Sequence, residues 1–409
     1  MRISTRCIGI INGGRDAWAD LAEEGDWPSI AGPGSHWTGK RKNGTGAFVK
    51  LAIIGTDGLP ARYGGFETFA MEVSPRIAGL GHEVLVVGSS RGRPAGETLP
   101  EGVTVRNLPL SANGIASIPY DIVSFATVCH WADAVLLLGV SAGPFVPIMR
   151  RLTRGGNLIV NVDGLESRRA KWSRLGKRYL ATAETLAIRG ARHIVADNRG
   201  IADIIAQTHG HTSTIIAYGN DHVLQIADSE CRRVLKSQFD LTPDGYFLTV
   251  ARIEPENNIE MMIRSIPRDH GVPYVILGNF TSSPYGLELI KRYRDDPLIR
   301  LIPATYDPMA LAALRSGCQA YLHGHSVGGT NPSLVEILPY GRPTLCFDCS
   351  FNRYTLDNSG AFFASTADLS ALIEAGSLER YTPPPALQTD PRYQWQAIAE
   401  RYVALAFEE

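Results

Sequence analysis

The segment from Cys318 to Phe347 constrains the fold more than any other part of the chain. A mostly apolar run, Cys318 to Leu322 with Gln319 its one polar member, has the length of a buried strand. It ends in His323-Gly324-His325 and passes into a small, polar loop, Ser326 to Ser333. Leu334 to Leu338 starts a helix that Pro339 and Gly341 stop, and Pro343 to Phe347 is a second strand. Strand, glycine-containing loop, helix start and strand make one βαβ unit, which implies a parallel sheet. Gly328 and Gly329 let the backbone come close to a ligand. Thr330 follows them, and Asn331, Pro332 and Ser333 stand at the helix N-terminus, where free N–H groups and the helix dipole favour a phosphate. Pro332 suits a first helical turn because it has no N–H to leave unpaired. Glu336, one turn in, presents a carboxylate to a sugar hydroxyl. An ordinary capped helix is the plainer alternative. The histidine pair, the two glycines and the Asn-Pro-Ser at one strand end favour a ligand loop.

A chain of 409 residues holds two domains with full cores. Forty basic against 41 acidic residues leave a net charge of -1, so no global field favours nucleic acid. Six cysteines in a chain of this length are not a disulfide scaffold and suit a reducing cytoplasm. Cys346 and Cys349 have C-x-x-C spacing but follow a strand, and no second pair completes a zinc site, so no metal is expected. The best membrane-span candidate, Ala134 to Met149, is too short and is broken by Gly139, Gly143, Pro144 and Pro147. Ala134 to Leu138 is better read as a buried parallel strand. Residues 1–47 are rich in Gly, Trp and charge without sustained periodicity. They are expected to be a disordered extension, or upstream sequence included through start-codon choice.

The folded part begins near Phe48. Val49 to Gly55 is a strand, Thr56 to Gly65 a loop, Phe66 to Leu80 a helix, and Val84 to Val87 the next strand. This βαβ opening lacks the G-x-G-x-x-G of a dinucleotide fold. Gly64-Gly65 before the helix is either turn chemistry or an approach site for an anion or sugar. Leu158 to Val162 is a strand that runs into Asp163 and Glu166. Carboxylates at the C-terminal end of a parallel strand face the ligand crevice, where they orient an acceptor hydroxyl. A capping role for Asp163 is the alternative. Arg168 to Tyr179 carries six basic residues, with Trp172, Leu175 and Tyr179 at helical spacing. It is either a helix for an anionic membrane surface or diphosphate-lipid head group, or a solvated helix whose aromatic stripe packs on the core. Tyr246 to Val250 is a strand leading to Arg252, placed to pair with a diphosphate unless it pairs with Glu254 or Glu256.

The run His323 to Glu336 resembles the donor loop of retaining glycosyltransferases with the two-domain GT-B fold (glycosyltransferase family 4), in particular a bacterial rhamnosyltransferase-like branch. Many members carry two Glu eight positions apart here. Glu336 matches the second, which implies that it holds the nucleotide ribose; Gly328 stands at the first, whose usual contact is with donor-sugar hydroxyls. That departure fits a different donor sugar, such as a deoxyhexose. Ile54 to Thr68 resembles the first-strand loop of the same branch. The likeness implies that Gly64 and Gly65 lie by the diphosphate and that Arg62 and Glu67 line the acceptor cleft. Val162 to Glu166 is similar to a further block of that branch, which puts Asp163 and Glu166 on the acceptor side. Arg252 matches the family's diphosphate Arg, whereas Asn257, which the resemblance places among the donor-binding residues, stands where a Lys is usual, so neutralisation leans on Arg252 and backbone N–H groups.

The resemblance implies an α/β fold of two Rossmann-like, doubly wound domains facing across a cleft. Residues 48–222 are then an acceptor domain, 223–385 a nucleotide-sugar donor domain, and 386–409 a helix crossing back to the first. The activity implied is that of a hexosyltransferase moving a sugar with retention. dTDP-rhamnose is the suggested donor, and a glycan or polyprenyl-diphosphate-linked acceptor in cell-surface polysaccharide synthesis receives it. No cofactor and no essential metal are implied. Arg252, Glu336, Asp163 and His325 are the expected catalytic residues; for His323 and His325 a structural hydrogen bond is the alternative. The expected location is the cytoplasm, with Arg168–Tyr179 touching the inner membrane face. A GT-B sugar-nucleotide epimerase and a non-catalytic sugar-nucleotide-binding subunit are the rivals, the second supported by Gly328 and Asn257.

Overall fold

The computed structural model describes residues 48–61, 64–91, 98–164, 173–269 and 271–408. The expectations for residues 1–47, Arg62, Glu166 and the stretch 168–172 lie outside them.

Short runs that are apolar on both sides cannot form a half-solvated sheet, and they pair in parallel with helices covering each face. The first seven strands are β1 (Lys50–Ile54), β2 (Glu83–Ser89), β3 (Val103–Leu108), β4 (Ala134–Leu138), β5 (Leu158–Asn161), β6 (His193–Ala196) and β7 (Thr214–Ile215). They form one sheet in the order 3-2-1-4-5-6-7, with every pairing parallel. Its helices are α1 (Gly65–Gly79), α2 (Ser117–Val128), α3 (Val146–Leu152), α4 (Arg174–Gly190) and α5 (Arg199–His209). After α6 (Asp228–Val234) a second sheet is built from β8 (Phe247–Val250), β9 (Tyr274–Gly278), β10 (Ile299–Pro303), β11 (Ala320–His323), β12 (Thr344–Phe347) and β13 (Ala361–Phe363). It is also parallel throughout, in the order 10-9-8-11-12-13. The helices used below from this half are α7 (Ile259–Ser265), α8 (Pro308–Gly317), α9 (Pro332–Val335) and α10 (Trp395–Phe407).

Both sheets are doubly wound, and each reverses direction once: between β1 and β4 in the first, and between β8 and β11 in the second. In open parallel sheets ligands collect at the C-terminal strand ends of such a switch point. The loops after β1, β4, β8 and β11 therefore carry the site.

One apolar core runs through both halves of the chain. The link is α10. Its Trp395 is fully buried, and the Phe69 ring of α1 meets Trp395 at 6.1 Å and Tyr402 at 5.2 Å, edge-on in both cases. Burying three aromatic rings here adds about 0.5–1.5 kcal/mol per ring pair beyond area burial, which ties the C-terminal helix to the first sheet. The ligand-loop helix is shorter than its sequence pattern indicates. α9 spans only Pro332–Val335, and Leu338–Tyr340 form a separate 3-10 turn, because Pro339 lacks the N–H a continuous helix needs there.

Candidate active site

A cavity of about 960 Å³ lies where the strand ends of the two sheets face each other. Its first-domain wall begins with Gly64 and Gly65 at the N-terminus of α1. Gly64 adopts φ 120°, and a Cβ there would lie 2.1 Å from Glu67 Oε2. Only glycine lets the Glu67 carboxylate fold back under this turn. Glu67 Oε1 then accepts hydrogen bonds from the Asp57 backbone N–H at 2.9 Å and the Thr56 hydroxyl at 3.2 Å. Burial pushes its carboxyl above the usual range, against the pull of those bonds. Glu67 lines the cavity while bracing the loop that follows β1. Asp163 follows β5 with φ 56°, its N–H held by Asn161 Oδ1 at 3.1 Å, and it also lines the cavity.

The opposite wall is the loop after β11. Gly328, Gly329, Thr330, Asn331, Pro332 and Ser333 all line the cavity. The first domain itself requires glycine at position 329, beside any approach of a ligand. A Cβ on Gly329 would lie 1.8 Å from Asp197 Oδ1, and the Gly328 Cα would be 2.5 Å from a Cβ on Gly164. Thr330 completes the docking: its N–H donates to Asp197 Oδ2 at 3.2 Å and its hydroxyl donates to the Asp197 carbonyl. Asn198 Nδ2 reaches Thr330 Oγ1 at 3.4 Å and Thr355 Oγ1 at 3.2 Å. Gly65 and Pro332 face each other across the cleft, 3.5 Å separating a Gly65 Cβ from the proline ring. The loop after β11 and the N-terminus of α1 thus border one space.

Arg252 sits at the end of β8, exposed and lining the cavity. Among the described residues it forms no ion pair, so the pairing with Glu254 or Glu256 does not occur. Asn257 does not line the cavity. It is 2 % exposed, and its Nδ2 donates to the Arg252 carbonyl at 2.7 Å. The expectation that Asn257 binds the donor is corrected: its short amide turns inward and fixes the turn that presents Arg252.

Glu336 lines the cavity through a carboxylate gripped on both oxygens. Oε2 accepts from Arg315 of α8, and Oε1 faces His222 Nε2 at 3.4 Å. Burial alone would raise its pKa, but Arg315 and His222 outweigh burial and hold it below the usual range. Glu336 is therefore a largely buried anion already oriented at the cleft. His325 lines the cavity and stacks on His323 at 4.2 Å, with the rings within 11° of parallel. His323 lies behind it, fully buried, and burial pushes its pKa down to about 3. Neither ring nitrogen of His323 has a hydrogen-bond partner among the described residues, so the structural hydrogen bond expected as its alternative is not made.

Further along the first-domain wall, Asp121 of α2 accepts from the Ser141 hydroxyl at 2.8 Å, and the Tyr179 hydroxyl donates to the Ser141 carbonyl at 2.8 Å. Burial pushes the Asp121 carboxyl up to about 7, against the Ser141 bond. Leu175 and Tyr179 do not pack on the core as one sequence alternative had it. Leu175 is 77 % exposed and, with Ile115 at 78 %, forms an apolar rim at the mouth of the cavity.

Sequence reasoning missed Asp197, Asn198, His222, Arg315 and Asp121. Asp197-Asn198 follows β6 directly, so the strand-end rule that singled out Asp163 applies to it equally. Arg315 and His222 reach the site through Glu336, Asp121 lines it from α2, and no local pattern marks any of them.

A family model described as "Domain of unknown function (DUF1972)" matches residues 49–221. No curated protein matches the chain. Among solved structures, sucrose-phosphate synthase from Thermosynechococcus elongatus is similar with a TM-score of 0.69 and 14% identity, over 87% of this chain and 98% of that one. HepE of Anabaena, in complex with UDP-glucose, gives 0.67 and 15% over 87% and 98%. The catalytic domain of starch synthase IV from Arabidopsis thaliana, bound to ADP and acarbose, gives 0.65 and 12% over 88% and 99%. At these identities the likeness is one of fold, and the fold is GT-B: two parallel-sheet α/β domains facing across a cleft.

Proposed function

We propose that the chain is a glycosyltransferase that takes a nucleotide-diphospho-sugar into the interdomain cavity and passes the sugar to an acceptor hydroxyl. The observation that carries this reading is a convergence on one cavity: Arg252, without an ion pair among the described residues, the N-terminus of the long helix α1, and the pre-oriented carboxylate of Glu336. The solved structures with UDP-glucose and with ADP, which share the fold, lend support.

In this reading the diphosphate lies between Arg252 and the amides of Gly64-Gly65 and Asn331–Ser333. Glu336 accepts the hydroxyls of the nucleotide's sugar ring. As the bond from the anomeric carbon to the diphosphate breaks, its electron pair passes to the leaving diphosphate, and Arg252 stabilises that charge. The acceptor oxygen bonds the anomeric carbon on the face the diphosphate leaves, with retention, and its proton passes to the departing diphosphate oxygen. Asp163 and Glu67 on the first-domain wall and His325 on the opposite wall orient that hydroxyl. No metal or cofactor enters this scheme. Gly328, with no carboxylate to meet sugar hydroxyls, suits a deoxyhexose, and dTDP-rhamnose is the donor we propose. The acceptor is a glycan or polyprenyl-diphosphate-linked precursor of a surface polysaccharide. The Ile115 and Leu175 rim, flanked by exposed Arg174 and Arg178, supports peripheral contact with an anionic membrane.

Arg252→Ala tests the scheme with little risk to the fold, because the side chain is exposed. Loss of one charge-assisted diphosphate contact lowers kcat/KM by about a hundredfold or more, read as nucleotide release with the melting temperature unchanged. An unchanged rate would contradict the assignment.

A further inference from the structure

The segment that joins the two sheets, Tyr218 to His222, is bound on three sides. Asn220 Nδ2 donates to the Val335 carbonyl of α9 at 3.0 Å, and the Asn220 N–H donates to the Tyr393 carbonyl at 2.8 Å. The Trp395 N–H donates to Asp221 Oδ1 at 3.0 Å. A Cβ on Gly219 would lie 2.5 Å from the Trp395 indole, and the Tyr218 ring meets that indole edge-on at 4.7 Å. At its end the Trp395 indole N–H donates to His222 Nδ1 at 2.9 Å.

This last bond decides where the proton of His222 is. Indole nitrogen is a donor only, so Nδ1 is the acceptor and the ring's proton is on Nε2. Nε2 is the nitrogen that faces Glu336 Oε1 at 3.4 Å, while Arg315 takes Oε2. Donors on both oxygens restrict rotation of the carboxylate and leave each oxygen with lone-pair capacity toward the cavity that Glu336 lines.

We propose that His222 is a positioning residue for the nucleotide. Oriented by Trp395, it holds the Glu336 carboxylate in the setting that accepts the hydroxyls of a nucleotide's sugar ring. The inference rests on the donor-site reading of Glu336 and extends it. Recognition of the nucleotide is set by the segment between the sheets and by the C-terminal helix, and it responds to how these two elements seat.

The test is the affinity of UDP, dTDP and inorganic pyrophosphate for the full chain, by calorimetry below the melting temperature of each variant. His222→Phe keeps the ring packing and removes the donor; His222→Gln restores an N–H near the Nε2 position. For whichever nucleotide the native protein binds more tightly, His222→Phe weakens binding about tenfold, as loss of a bond to a charged group does. His222→Gln recovers most of this, and pyrophosphate affinity does not change. Because His222 acts through Glu336, the double variant His222→Phe/Glu336→Gln binds no more weakly than Glu336→Gln alone. Equal nucleotide affinity of His222→Phe and native protein overturns the inference, and so do losses that multiply in the double variant. Native protein that binds neither nucleotide overturns the donor-site reading itself, and this inference with it.

Discussion

Asp121 and His323 are buried ionisable side chains with opposite consequences for stability. Burial raises the Asp121 carboxyl to about 7, so the folded chain holds that proton more tightly than the unfolded chain does. Its contribution is fully present below the unfolded value near 3.8 and is lost as pH rises through 7. His323 is the reverse. Its pKa falls from 6.5 to about 3, so its contribution is present above 6.5 and is lost as pH falls toward 3. A tenfold difference in proton affinity between folded and unfolded chain corresponds to about 1.4 kcal/mol. Urea denaturation of Asp121→Asn is expected to show a smaller loss of stability than native protein between about pH 4 and pH 7. His323→Phe is expected to remove part of the acid-side loss and leave the alkaline side unchanged. Curves that run parallel to native protein would contradict these signs. Arg252, Glu336, Asp163 and the two glycine pairs were legible in the sequence because strand ends in parallel sheets aim at ligands. His222, Arg315 and Asp121 were not, since each acts on the site from an element far away in sequence.

The loop after β11 is the element on which the two domains meet. Its glycines have separate reasons: the Asp197 carboxylate opposite excludes a side chain at Gly329, and Gly328 is held at φ 133° with Asn331 of its own loop beside it. Gly329→Ala would push a methyl group into Asp197 and loosen the Thr330 docking. A destabilisation of about 1–3 kcal/mol is expected, as for overpacking elsewhere, together with a higher KM for the donor. Calorimetry and donor titration check the two parts, and an alanine variant as stable as native protein would place the loop elsewhere. Gly328, at φ 133°, occupies backbone that a Glu rarely adopts, so the first Glu of the resembling pattern does not fit this loop conformation. Sequence periodicity located β1, β2, β4, β5, β8, β11 and β12, because their apolar runs are short and bounded by Gly, Pro or polar residues. It overextended the loop helix, because a Leu-Val-Glu-Ile-Leu pattern cannot show that the chain tightens into a 3-10 turn at Pro339. The inward turn of Asn257 was equally hidden, since its partner is a backbone carbonyl.

At the scale of the whole molecule, two switch points face one cavity, and α10 carries the core of one half into the other. A parallel α/β sheet was legible from the order of strands, loops and helices, and the two doubly wound domains from the resemblance. How closely the halves approach was not, because it depends on contacts such as Gly328 to Gly164 and Trp395 to His222 that join residues far apart in the chain. The central claim is that this cavity binds a nucleotide-diphospho-sugar and transfers its sugar. The most direct measurement is nucleotide release from dTDP-rhamnose, UDP-glucose, UDP-N-acetylglucosamine and GDP-mannose, with membrane extract as acceptor source and Arg252→Ala as control. The account predicts acceptor-dependent release from one donor, dTDP-rhamnose, and its loss in the Arg252 variant. Binding of a donor without release, or release that ignores the acceptor and survives Arg252→Ala, would contradict it.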